Sequence, residues 1–214
     1  MKILVSDNQV VLGPMWWNQR MFQSVITDEL ELDHTLPTLT EASIAYSVSD
    51  TVKILPVEFT PVNYDARIQQ LAGPNWDIQA DKAVASYTVV DKNMDVVRNE
   101  LKARTAHIRW QKEVAGVILT IQGQEIVAKT DRETRNMYSQ ALLLGAADAN
   151  WKFGDVWLVM SLTDLQTLVT GVLNHIQTQF DWEATTITAI NGASDLSALV
   201  TIFESLDTEE EALV

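Results

Sequence analysis

The side chains best suited to chemistry near neutral pH are three histidines, His34, His107 and His175, and they fall in three separate predicted elements. None has a second histidine or a carboxylate at a metal-ligand spacing such as His-Glu-x-x-His. His175 lies beside an apolar stripe, one residue before Ile176, where a lone imidazole reads as partly buried structure. His107 has basic neighbours that disfavour its protonation. Nucleophile motifs of the Gly-x-Ser-x-Gly and Ser-x-x-Lys kinds are absent, and the eight glycines are scattered singly, with no phosphate-cradling loop. The 29 Asp and Glu residues supply many pairs for glycoside hydrolysis but single out none. With no cysteine there is no thiol nucleophile, thiolate metal cage or disulfide framework. These residues predict a protein that is not an enzyme and takes no cofactor or metal.

Binding features are better represented. Seven tryptophans are many for 214 residues, and tryptophan anchors interfaces. Trp151, Trp157 and Trp182 lie in or beside apolar elements and read as core. Trp16 and Trp17 are adjacent, so they cannot both face one side of an element, and one of them must be exposed or covered by another chain. Five basic residues, Arg98, Lys102, Arg104, Arg109 and Lys112, share one predicted helix, diluted by Asp95, Glu100 and Glu113. That helix reads as an exposed one laced with ion pairs or docked on an acidic partner. Trp16, Trp17, Arg98, Arg104 and Arg109 are therefore the candidate protein-contact residues.

Charge limits the partners. The formal net charge is -14, from 15 basic and 29 acidic residues, which argues against binding nucleic acid. The surplus is uneven: residues 130–214 hold only Arg132, Arg135 and Lys152 as bases. The run Asp207-Thr-Glu-Glu-Glu211 reads as a solvated acidic tail over 207–214. No stretch approaches the roughly 18 apolar residues of a membrane-spanning helix, and Met-Lys-Ile-Leu-Val-Ser-Asp reaches a charge too soon for a secretory leader. A soluble protein made in a cytoplasm is expected.

The positioning elements follow from periodicity. Ile3-Leu-Val5 and Val10-Val-Leu12 predict a hairpin, and Trp17, Met21, Val25 and Leu30 predict a helix over 15–30 opened by Pro14. A loop is expected from Asp33 to Asp50, then a strand at 51–59 that Pro56 confines to an edge or breaks in two. Residues 60–75 look extended, and a second hairpin joins 76–79 to 84–90. Residues 1–90 thus form a strand-rich assembly region, a thin layer that could hardly bury its apolar faces alone.

The remainder, residues 91–206, reads as an α+β domain. It comprises a helix over 91–114, a hairpin at 117–128, and a helix over 131–146 opened by the capping box Thr130-Asp-Arg-Glu133. Two short strands follow around Gly154-Asp155. Next comes a long helix over 162–190, roughly 43 Å in length, capped by Ser161 and Asp164. The last helix runs from Asp195 to about Leu206. The overall class is α+β, a small β domain or arm followed by a helical domain with β-hairpins.

From about Thr88 to Thr201 the order of residues is distinctive. Arg109-Trp110-Gln-Lys-Glu113-Val-Ala-Gly116 is followed by the hairpin, Thr130-Asp-Arg-Glu-Thr134, Trp151-Lys152, Val172-Leu-Asn-His175-Ile-Gln177 and Gln179-Phe180-Asp-Trp-Glu183. This order resembles a C-terminal domain of uncharacterised function that recurs in tailed-bacteriophage tail-fibre and tail-fibre-assembly proteins. Ile54-Leu-Pro-Val57, Gly73-Pro-Asn-Trp76 and Tyr87-Thr-Val-Val-Asp91 look like the strand-rich leaders that precede it. The loop around Phe153-Gly-Asp-Val-Trp157 departs from the pattern in its spacing.

The resemblance carries no catalytic residues. It implies a structural component of a phage tail, attached to the tail fibre or its junction with the baseplate, with other tail proteins and copies of itself as partners. The alternative is a tail-fibre assembly chaperone, and a carbohydrate-binding or depolymerising fibre module is a third reading. The location implied is the virion, and the host cytoplasm during assembly.

Overall fold

The computed structural model describes residues 1–39 and 45–213, with strands in the first half and helices in the second, an α+β protein. It divides into two units, Met1–Asp91 and Lys92–Val214. The part of the expected loop at 40–44 lies outside the described residues.

In the N-terminal unit the first hairpin forms as its sequence predicts. Strands β1 (Lys2–Ser6) and β2 (Gln9–Met15) are joined by Asp7 and Asn8, both left-handed at φ 50° and 62°. A two-residue turn needs two such residues, and Asp and Asn tolerate that backbone. The helix expected to start at Pro14 starts later. Strand β2 runs through Gly13-Pro14, a cis peptide, and a Cβ on Gly13 would stand 2.7 Å from the Lys2 carbonyl oxygen. Helix α1 (Gln19–Ser24) begins only after Asn18, whose side chain accepts the Met21 N–H at 3.3 Å. A π-helical turn, Val25–Glu29, continues it.

The other strands are β3 (Tyr46–Ser47), β4 (Val52–Phe59), β5 (Gln69–Ile78) and β6 (Ala83–Asp91), in the sheet order β2-β1-β4-β6-β5 with β3 on β4. β4 is antiparallel to β1 from Val52 to Pro56 and parallel to β6 from Val57 to Phe59. Pro56 thus marks a change of partner rather than an edge. β5 is longer than its expected 76–79, because a bulge between Ala72 and Asn75 absorbs Gly73-Pro74 on a terminal strand of the sheet.

The expectation of a thin layer is overturned. Leu4, Val52 and Ile54 pack with Phe22, Val25, Ile26 and Leu36 on one side, while Ile3, Val5, Leu55 and Ala83 form a second cluster. Ile3, Leu4 and Leu55 are completely buried. An unbroken apolar run such as Ile3-Leu-Val5 is the mark of a strand covered on both faces.

In the C-terminal unit, α2 (Met94–Val114) leads to the hairpin β7 (Val117–Ile121) and β8 (Gln124–Ala128). Then follow α3 (Arg132–Leu143), the hairpin β9 (Ala149–Phe153) and β10 (Val156–Met160), α4 (Leu162–Gly192) and α5 (Leu196–Glu211). α4 is the spine, packed against α2, α3, α5, β7 and β10. Its Leu165, Leu168, Val172 and Ile176 share one core with Ile121, Ile126, Tyr138, Phe153, Leu158 and Met160, so both hairpins turn their inner faces to this helix. Gly171 lets β7 approach: a Cβ there would come within 2.6 Å of the Leu119 side chain.

Two boundaries need correction. Asp131, not Thr130, caps α3, accepting the Thr134 N–H at 2.9 Å. Thr130 is buried, and its hydroxyl accepts the Gly116 N–H at 2.9 Å, tying the end of α2 to the start of α3. The acidic run is no free tail, since α5 continues through Glu211. The capping box at Ser161 and Asp164 forms as its spacing predicts.

Aspartate caps give this unit a pH dependence. Asp131 is held below the ordinary aspartate value chiefly by the Thr134 N–H, Asp164 by the Ser161 hydroxyl and then Gln122, and Asp195 by the Ala198 N–H. A folded-state value below the unfolded one contributes stability above about pH 4 that is lost as pH falls through the folded value. Urea midpoints measured by circular dichroism should therefore fall as pH drops below about 4, and Asp164→Asn should flatten that slope.

Candidate protein-interaction surface

Of the five candidate contact residues, the three arginines are engaged inside the C-terminal unit. Arg98 donates to Asp95 at 3.0 Å and to the Ala193 carbonyl at 2.9 Å. Arg104 grips α5, reaching Asp207 at 2.6 Å and Glu210 at 2.7 Å. These carboxylates raise the Arg104 pKa, and Arg104 in turn lowers that of Glu210. Lys112 pairs with Glu209 and lies 4.3 Å above the Trp182 ring centre. Arg104 and Lys112 are thus covered by the acidic end of α5, and Arg98 and Asp95 form an i,i+3 pair, so these side chains of α2 are engaged within the unit rather than offered to an outside acidic partner. Local sequence could not show the α5 pairs, because the partners stand about a hundred positions apart.

One cluster has a different character. Glu113 is buried, and its two oxygens meet Arg109 and Arg135, the latter at 2.9 Å. Arg109 also donates to Glu183 at 3.0 Å and lies 4.7 Å over the Phe180 ring centre. Around it opens a cleft of about 620 Å³ that Trp110, Arg132 and Phe180 also line. Trp110 and Phe180 are 52% and 44% exposed, and Arg132 has no ion-pair partner among the described residues. Two half-open aromatic rings thus stand beside guanidinium groups and the Asp131 carboxylate in one cleft.

Trp16 and Trp17 part company. Trp16 is 72% exposed. Trp17 is half-buried against the Phe22 cluster, its ring centre 5.0 Å from that of Phe22, and its indole donates to the Leu39 carbonyl at 3.0 Å. Trp17→Ala should therefore cost the N-terminal unit about 2 kcal/mol, while Trp16→Ala should leave stability within about 0.5 kcal/mol, as judged by urea melts. Trp157, read as core, is 62% exposed, with Lys152 5.6 Å over its ring; it points outward because its neighbours Val156 and Leu158 take the inner face of β10. Trp151 and Trp182 are half-buried.

Each histidine has a partner within its own unit. His34 Nε2 lies 3.0 Å from the Tyr46 hydroxyl, and His107 stacks on Trp110. His175 Nε2 donates to the Lys112 carbonyl at 3.0 Å, the half-buried structural role its position suggested. No group of three His, Asp or Glu side chains among the described residues is placed to hold a metal ion. Among the same residues no helix is long and apolar enough to cross a membrane.

Residues 96–210 match the model of a domain of unknown function, DUF4376. The chain belongs to the DUF4376 family. The matched segment runs from the first turn of α2 to the last turn of α5, so the DUF4376 domain contains both halves of the Arg104 and Lys112 pairs, the Glu113 cluster and the whole of α4. No curated protein and no solved structure matches the chain.

Proposed function

We propose that this DUF4376 protein is a structural component of a bacteriophage tail, attached to the tail fibre or its junction with the baseplate and acting through protein-protein contacts. The observation that carries the contact role is the number of large apolar side chains left in solvent: Trp16, Trp110 and Trp157, together with Leu143 at 86% and Leu144 at 81% exposure. Exposed aromatic and aliphatic anchors of this size are what interfaces bury. The tail assignment is supported by the resemblance of residues 88–201 to tail-fibre-associated domains. The acidic charge of the chain speaks for protein rather than nucleic-acid partners.

Mass spectrometry of purified virions tests this. Stoichiometric presence supports a tail subunit. Presence only in assembling lysates, bound to fibre chains, would replace it with an assembly chaperone. Release of sugar from host polysaccharide would instead favour a depolymerising fibre module.

A further inference from the structure

The cleft beside Arg109 has hydrogen-bond donors to spare and few free acceptors. Among the described residues Arg109 donates through Nε and Nη1, Arg135 meets Glu113 through Nη1 alone, and Arg132 meets no acid. The other N–H groups of these guanidiniums still need acceptors. The carboxylates that line the same cleft are already committed. Glu113 gives one oxygen to Arg109 and the other to Arg135, while Asp131 accepts the Thr134 N–H at 2.9 Å and the Thr134 hydroxyl at 2.7 Å. Three guanidinium groups against two carboxylates leave one positive charge over, in a chain whose formal charge is -14. Glu183 meets Arg109 from α4 without lining the cleft. Trp110 and Phe180 supply ring surface at the same opening. His107 stacks on the first and Arg109 lies over the second, yet about half of each side chain is left to solvent.

We infer that this cleft binds one acidic side chain of a partner protein, a glutamate or aspartate with an aromatic residue beside it. A carboxylate offers the planar pair of acceptor oxygens that guanidinium donors match, and the neighbouring ring stacks on Trp110 or Phe180. Charge sets the valence of the ligand. One surplus positive charge suits a singly charged carboxylate, whereas a phosphate, at close to two negative charges, would be held against both Glu113 and Asp131. Size agrees, since about 620 Å³ lies within the range of small-ligand sites. Arg132 makes the main contact with the anion, being exposed and engaged in no internal pair among the described residues, while Glu113 holds Arg109 and Arg135 in place behind it. The inference gives the contact role proposed above its ligand chemistry and rests on that role. Its test reads the cleft and not the composition of virions, so the tail assignment and this site can fail separately.

The test titrates the full, isotope-labelled chain with the blocked dipeptide acetyl-Phe-Glu-amide. Nuclear magnetic resonance follows the indole N–H of Trp110, assigned by its loss in Trp110→Phe. A Kd of about 1 mM is expected, the affinity open to so small a ligand in a half-open site. The neutral isostere acetyl-Phe-Gln-amide should bind at least about fivefold more weakly. Arg132→Gln should weaken the Glu peptide by about the same factor with an unchanged circular dichroism spectrum. Raising the salt from about 50 mM to about 500 mM should weaken the Glu peptide and leave the Gln peptide nearly unaffected. Equal binding of the two peptides, tighter binding of acetyl-Phe-phosphoserine-amide, indifference to Arg132→Gln, or no shift of the Trp110 indole at about 20 mM peptide would each overturn the proposal.

Discussion

Phe22→Ala should cost the N-terminal unit about 3–5 kcal/mol, the expected range for emptying a fully enclosed aromatic site. Phe22 is completely buried, and it joins α1 to the sheet through Leu4, Ile54 and the Trp17 ring. A domain of this size has only about 5–15 kcal/mol to lose, so most of its margin would go. Urea unfolding followed by tryptophan fluorescence gives the magnitude, and hydrogen exchange at the β1 and β4 amides gives the location. Phe22→Leu should restore more than half of the loss, since it refills most of the volume. A loss below about 1 kcal/mol would mean that α1 does not cover the sheet in solution.

Glu113→Ala should be the most damaging single change among the charged residues, at about 3 kcal/mol. Glu113 is buried and holds two guanidinium groups; without it Arg135 would be left partly desolvated with no counter-charge, and Arg109 would keep Glu183 alone. The damage comes mainly from those stranded charges rather than from the net strength of the pairs. Replacing Arg109, Glu113, Arg135 and Glu183 together by Met, Leu, Met and Leu, which removes the whole paired set, should therefore be far milder, within about 1 kcal/mol of the wild type. Chemical denaturation of both variants separates the two explanations. By comparison, the Arg104 pairs with Asp207 and Glu210 are more exposed, and Arg104→Ala should release the end of α5 for about 1 kcal/mol or less, seen as faster amide exchange over residues 207–211.

These expectations bear on the proposed contact role. The arginines that looked most available are paired inside the domain, so replacing them would alter its internal ion pairs as well as any partner contact. Trp16, Trp110, Trp157 and Arg132 are better probes, because they are exposed and their loss should leave the core intact.

Several elements were legible because their causes are local. The 3.6-residue stripe of α4, its Ser161 and Asp164 cap, the hairpin across Gln122-Gly123 and the α+β order all rest on residues within a few positions of one another. The same local reasoning failed at residues 15–18, where periodic apolar residues suggested helix while Asn18 held the true start signal. It failed again at Thr130, one position from the real cap.

By itself, then, the sequence determined the kinds of element, the acidic character of the chain and the lack of any thiol chemistry, since composition and short-range periodicity are sufficient for those. Tertiary structure alone decided which surface is available. Whether an arginine is free depends on an acid about 100 residues away, as with Arg104 and Glu210, and whether a tryptophan is core depends on which strand face its neighbours occupy, as with Trp157 and Leu158. Pairing at that distance is set by how the helices and hairpins pack around α4, and no local pattern encodes it.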